Sequence, residues 1–186
     1  MKVDQEIEKL KTDIFSGDWD KMKESASRLF EIGGQENIDY LLGLLDQPNP
    51  LVRNVVALTF MDNKFNEALE PLLESITKDE NKSSRGTMVY ALQALDCRNK
   101  LKALFDILFT AAKNAEVQTG ILTVLDEQEF EFTKNDLIEI QEKWDGLKDS
   151  WNKLNGIEKR EVKEYDIDRD VIQNFVDGYV SYLETR

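Results

Sequence analysis

The sequence predicts an all-α fold of stacked helix pairs, and three observations carry that reading. The first is a corner. The apolar run Ile38-Leu41-Leu42-Leu45 ends at Asp46, Pro48 and Pro50 bracket Asn49, and a second run, Val52-Val55-Val56-Leu58-Met61, follows. Proline cannot continue a helix interior and pushes the residue before it out of the helical region, so the stretch reads helix, corner, helix. The second is recurrence. Ile38, Leu69 and Leu101 correspond, as do Leu41, Leu72 and Leu104, then Leu42, Leu73 and Phe105, then Leu45, Ile76 and Leu108. Offsets of 31 and 32 residues in helical pairs are the signature of a solenoid. The third is composition: three Pro and nine Gly in 186 residues favour helices over a turn-rich β fold.

Each element has its own local signal. Val3, Ile7, Leu10 and Ile14 put an amphipathic helix over residues 3 to 15. Ser16-Gly17-Asp18 breaks it, and Asp18 is placed to cap the next helix. There Trp19, Met22, Ala26, Leu29 and Phe30 form the expected buried stripe until Gly33-Gly34. Residues 1–34 thus read as an N-terminal capping pair with a Glu- and Lys-rich outer face. The repeats occupy 36–128. One pair spans 36 to 62, with Pro50 in the first turn of its second helix, where a missing N–H costs nothing. The next joins 66–78 to 84–96 through the charged, flexible-looking loop KDENKSSRG, and the last joins 99–113 to 115–126. In the second helices an Asp follows a Leu by four residues three times: Leu58 and Asp62, Leu92 and Asp96, Leu122 and Asp126.

The pattern changes over 133–186. Thr133 and Asp136 form a weak capping box, opening a long helix with Leu137, Ile140, Trp144, Leu147, Trp151 and Leu154 along one seam. Asn155-Gly156 ends it. After a polar stretch, a last helix carries Ile172, Phe175, Val176, Tyr179 and Leu183 on one face.

The residues LLDQPNPLVRNVVALTFMDNKFNEALEPLLESI resemble a HEAT repeat. Leu44-Leu45-Asp46 and Val52-Arg53 carry the likeness, with Pro71 where the first helix of such repeats often bends. The resemblance covers roughly 36 to 126. It implies a right-handed superhelix of antiparallel helix pairs with a concave surface that binds another protein. It also implies a ladder between repeats, a role that would fall to Asp46 and Arg53. The third repeat departs, with Thr87-Met88 in place of Val-Arg and Arg85 nearby; the fourth has Val117-Gln118.

Chemistry is sparse. The chain has no histidine, which removes the commonest general base, the Ser-His and Cys-His pairs and the usual zinc ligands. Cys97 has Arg98 and Lys100 beside it but no base, and Gly33-Gly34 is not followed by the Lys-Ser/Thr of a phosphate loop. Asp166-Ile167-Asp168-Arg169-Asp170, with Asp177, matches calcium-loop positions. Val171 stands where the loop needs glycine, so Asp168 or Asp170 reads better as a helix cap. The Trp144 and Trp151 pair reads as packing. No catalytic residue, metal or cofactor is expected, and the chain is read as a non-enzyme.

Charge points to the kind of partner. Thirty-seven acidic against twenty-four basic residues leave a net of −13, and from residue 126 onward there are seventeen acidic and nine basic. Nucleic acid and anionic membranes need a basic footprint and are excluded as expected partners, and no small-molecule substrate is indicated. The N-terminus lacks a signal-peptide pattern, no apolar run is long enough to span a membrane, and one Cys fits a reducing compartment, so a cytoplasmic location is expected. The expected function is protein binding, most specifically as a small acidic inhibitor (an immunity protein or antitoxin) of a basic toxin such as a nuclease. The alternative is a structural adaptor in a larger assembly. Polar residues read as facing away from the core of the second helices, namely Arg53, Asn54, Tyr90, Gln93 and Gln118, are the expected contacts. Asp166, Asp168 and Asp170 are the electrostatic alternative.

Overall fold

The computed structural model describes residues 2–111, 114–152 and 166–184; at 2, 151–152 and 166–168 it describes the backbone alone. Among the described residues there are ten α-helices and no strand. They fall into two compact units, Met1–Cys97 and Arg98–Arg186.

The first unit holds α1 (Lys2–Asp13), α2 (Trp19–Ile32), α3 (Gln35–Gly43), α4 (Pro50–Asp62), α5 (Leu69–Thr77) and α6 (Gly86–Ala91). Its helix ends follow the sequence signals. Asp18 accepts the Lys21 N–H at 3.1 Å to cap α2, and Asn49 accepts the Leu51 N–H at 3.0 Å to cap α4, with Pro50 in the first position. Gly33 and Gly34, both at positive φ, turn the chain between α2 and α3. α4 is the centre of the unit, with α2 on one side and α6 on the other. Neighbours on both sides explain why its burial exceeds the expected stripe: Ala57, Thr59 and Phe60 are as buried as Val52, Val55 and Val56. α1 packs on α2, and α5 on α6. α3 packs on α2 rather than along α4, which instead meets the 3-10 turn Leu44–Asp46.

Two expectations change here. Trp19 was placed in the buried stripe of α2, but it is the first residue of that helix and stays 39% exposed. The loop between α5 and α6 is not a free tether. Asn81 is buried and donates to the Ser75 carbonyl (2.8 Å) and hydroxyl (3.1 Å), and Ser75 in turn donates to Leu45 O at 2.7 Å. Pro71 acts at the start of its helix: the chain runs as a 3-10 turn over Asn66–Ala68 and becomes α-helical at Leu69, two residues ahead of the proline.

The corner between α3 and α4 is held by Arg53. Its Nη1 donates to the carbonyls of Gln47 (2.5 Å) and Pro48 (3.0 Å), and Nη2 to Ser84 Oγ at 2.7 Å. Arg85 repeats the device at the corner before α6, donating from Nη1 to Ile76 O at 3.1 Å. Both arginines are 2% exposed. Burial pulls their pKa below the usual arginine range, yet a guanidinium stays charged at neutral pH. Asp46 does not pair with Arg53; it pairs with Lys78 at 2.5 Å, across 32 residues.

The other end of α4 closes with a Schellman motif. Lys64 sits at φ 49°, so that the Phe65 N–H reaches Phe60 O (2.9 Å) and the Lys64 N–H reaches Met61 O (3.0 Å). Phe65 then stacks on Phe60 at 5.5 Å, and Phe30 of α2 meets both rings edge-on.

The second unit holds α7 (Leu101–Thr110), α8 (Ala115–Glu127), α9 (Lys134–Asn152) and α10 (Asp166–Val180). α7 packs on α8 and on α9, and α9 packs on α10. The capping box at Thr133 is complete: Asp136 Oδ2 accepts both the Thr133 N–H and hydroxyl at 2.7 Å, and Thr133 Oγ1 accepts the Asp136 N–H at 3.2 Å. The Thr133 backbone bond, foremost, holds the Asp136 carboxyl below its ordinary range. Leu137, Ile140 and Trp144 are buried along the expected seam; Leu154, the Asn155-Gly156 stop and the Trp151 side chain lie outside the described residues.

Three substitutions test these contacts by urea denaturation. Arg53→Ala strips donors from two corner carbonyls and is expected to lower urea-derived stability by about 3 kcal/mol. Arg28→Ala, at an exposed Arg28–Glu6 pair, is expected to move the midpoint little. Lys64→Gly removes the left-handed penalty of an L-residue and is expected to raise stability by about 1 kcal/mol in the same assay.

Candidate protein-binding site

The structure sorts the expected contact residues by burial. Arg53 does not face away from the core: its side chain folds back beneath the corner that it holds, as described above. Gln118 is likewise buried, at 6% exposure, on α8. Neither is placed to meet a partner. Asn54 on α4 is half-buried, and its Oδ1 has no hydrogen-bond partner among the described residues. Tyr90 on α6 is 50% exposed, and Gln93 is half-buried in the 3-10 turn that follows. Asn54, Tyr90 and Gln93 therefore sit on neighbouring elements of the first unit, whereas Gln118 belongs to the second.

The acidic alternative lies on a helix. The string from Asp166 to Asp177 is continuous α-helix in α10, not a loop, and Asp177 accepts from Gln173 Nε2 at 2.6 Å. Because α10 already begins at Asp166, Asp168 and Asp170 fall inside its first turns instead of capping it. Asp170 is exposed; the side chains of Asp166 and Asp168 lie outside the described residues. Among the described residues, no group of three or more His, Cys, Asp or Glu is gathered to hold a metal. Cys97 is fully buried, with its Sγ 3.6 Å from Leu92 O. A thiol in that position is inert packing.

One concavity is not singled out by the helical pattern. An open groove of about 740 Å³ lies in the second unit, lined by the end of α8, the strip 128–132 and α10. Tyr179 is its pivot. Its hydroxyl donates to Leu125 O at 3.0 Å, and the rings of Phe105, Phe130 and Phe132 stand edge-on to it at 5.6, 6.2 and 5.9 Å. The strip itself is pinned where the Glu131 N–H donates to Arg98 O at 2.9 Å. Phe175, Asp126 and Glu129 also line the groove. Both carboxylates are exposed and have no ion-pair partner among the described residues. None of the described residues lining the groove is Lys or Arg. Behind it, Trp144 stacks on Phe109 at 5.4 Å and donates from Nε1 to Gln173 Oε1 at 2.7 Å, which fixes α9 against α10.

Sequence periodicity locates Tyr179 and Phe175 but not Phe130 and Phe132, because the strip 128–132 belongs to no helix. The signal present was the alternation Phe130-Glu131-Phe132, which puts two rings on one side of an extended strip.

No protein-family model, curated protein or solved structure matches the chain.

Burial, foremost, raises the Tyr179 phenol from 10.0 to about 12, with Tyr182 and Asp126 adding to the effect. The folded pKa lies above the unfolded one, so this contribution to stability is complete below about pH 10 and is lost as pH rises through about 12. Tyr179→Phe is expected to flatten the loss of stability between those values. Denaturation of the two proteins across the alkaline range, with ultraviolet titration of the tyrosines, measures it.

Proposed function

We propose that this chain is a non-enzymatic, HEAT-like α-solenoid protein that binds a basic protein. The observation that carries the reading is an imbalance of charge that the fold does not absorb. Many of its cations are held in pairs with its own acids: Lys23 with Asp62, Lys78 with Asp46, Lys102 with Glu139 and Lys143 with Asp106. The excess carboxylates, among them Asp20, Glu67, Glu116, Asp126, Glu127 and Glu129, are exposed and have no ion-pair partner among the described residues. Such a surface attracts a cationic protein from a distance and raises its association rate. The repeat reading is supported by the flanking of α4 by α2 and α6 and by the recurring corner arginines Arg53 and Arg85.

The specific form we favour is a small acidic inhibitor, of the immunity-protein or antitoxin kind, that covers the basic cleft of a toxin such as a nuclease. The chain's acidity and its lack of histidine both fit that role. A structural adaptor is the second reading, favoured by the exposed, uncharged Tyr90 on α6 of the first unit.

Affinity capture from the native cell at low and high salt separates the two. The inhibitor reading expects one basic partner, released as the screening length falls from ~8 Å at physiological salt to ~3 Å at 1 M. A salt-resistant set of ordinary cellular proteins would overturn it and favour the adaptor.

A further inference from the structure

We infer that the groove around Tyr179 is the docking site for an arginine-bearing segment of the basic partner. The inference rests on the basic-partner reading above and gives that reading a site. Three observations converge. The lining is rich in aromatic side chains, with Phe130, Phe132, Phe175 and Tyr179 all on one concavity and Phe130 and Phe132 packed edge-on to Tyr179. The same lining includes Asp126 and Glu129, whose exposed carboxylates have no cation partner among the described residues. And the described lining contains no positive charge to compete with an incoming one.

The chemistry selects the occupant. A neutral apolar segment would cover the rings but strip water from two carboxylates and give them nothing in return, which is costly. An anion would be repelled by the same two groups. A cation satisfies both parts of the lining, because its charge meets the carboxylates while its weakly hydrated face meets the aromatic rings. Arginine fits better than lysine. Its planar guanidinium stacks on aromatic rings, is more weakly hydrated, and engages a carboxylate with two parallel N–H bonds. The volume, about 740 Å³, is within the usual range for ligand sites of ~300 to 1,000 Å³, so it admits the arginine together with the flanking residues of the segment.

The groove is also built to keep its shape. Tyr179 is tied to Leu125, the strip holding Phe130 and Phe132 is tied to Arg98, and Phe105 backs Tyr179 from α7. A preformed site loses less entropy on binding.

The test uses the full chain and a hexa-arginine peptide, with hexa-lysine and hexa-glutamate peptides as comparisons, read by calorimetry and by backbone amide shifts. Wild type is expected to bind hexa-arginine more tightly than hexa-lysine and hexa-glutamate not at all, with shifts concentrated at 126–132 and 175–182. The surface double variant Asp126→Asn/Glu129→Gln and the variant Phe130→Ala are each expected to weaken hexa-arginine about tenfold. A control, Asp20→Asn/Glu116→Gln, removes the same charge elsewhere and is expected to weaken it less than twofold. Circular dichroism confirms that each variant is folded; if Phe130→Ala is not, the double variant decides alone. Equal weakening by control and groove variants would overturn the site while leaving the basic-partner reading intact, since attraction would then be spread over the surface. Absence of hexa-arginine binding would overturn the site as well. So would concentration-dependent self-association abolished by Phe130→Ala, which would assign the groove to a second copy of the chain. Salt-resistant capture from the native cell, by contrast, counts against the basic-partner reading itself.

Discussion

Helix ends that turn inward carry carbonyls that nothing in the helix can satisfy, and the first unit depends on how it meets that constraint. The last turns before α4 and before α6 leave such groups next to the core. A buried guanidinium serves each: Arg53 takes the carbonyls of Gln47 and Pro48, and Arg85 takes that of Ile76. Arginine suits the task because it offers five donors in a fixed fork and cannot be switched off by losing its proton in the physiological range. Around these two points the rest assembles. Arg53 reaches on to Ser84 across 31 residues, Ser75 reaches back to Leu45 across 30, and Asn81 braces Ser75, so that successive corners are stitched together by hydrogen bonds.

That arrangement explains what could and could not be read from the sequence. Helix identity was legible because apolar spacing, Pro50, Asp18 and the glycine pair are local signals that tertiary structure did not override. One recurring column is buried throughout, since Leu41, Leu72 and Leu104 are all fully buried, whereas Ile38 and Leu42 in the other columns are half-buried. The direction of Arg53 was not legible. On helical spacing alone it lies beside Val52 on a face that reads as outward, and only the nearness of unsatisfied carbonyls turns a long, flexible, charged side chain inward. Gln118 misled in the same way. Trp19 shows the opposite failure, since position in a buried stripe means little in the first turn of a helix, where no preceding turn covers it. The groove was half legible: α10 gave Tyr179 and Phe175, but two of its walls come from a strip with no helical period.

The two units handle charge differently from apolar surface. Apolar side chains are spent in local clusters, such as Phe30, Phe60 and Phe65 in the first unit and Phe105, Phe109 and Trp144 in the second. Charge is matched only in part: basic side chains such as Lys9, Lys82 and Lys148 pair with acids three or four residues away, and carboxylates such as Asp126, Glu127 and Glu129 stay exposed on the surface. Where one aromatic cluster opens to solvent beneath unmatched carboxylates, both properties meet at the same place.

The tryptophans make the units separately visible. Trp19, in the first unit, is 39% exposed, whereas Trp144, in the second, is 2% exposed and stacked on Phe109. With Trp151 replaced by phenylalanine, the chain keeps one solvent-facing fluorophore per folded first unit and one shielded fluorophore per folded second unit. Melting of the first unit would then leave the short-wavelength emission of Trp144 in place, and melting of the second would extinguish it. A single emission spectrum, followed through denaturation, can thus report which half of the molecule gives way first.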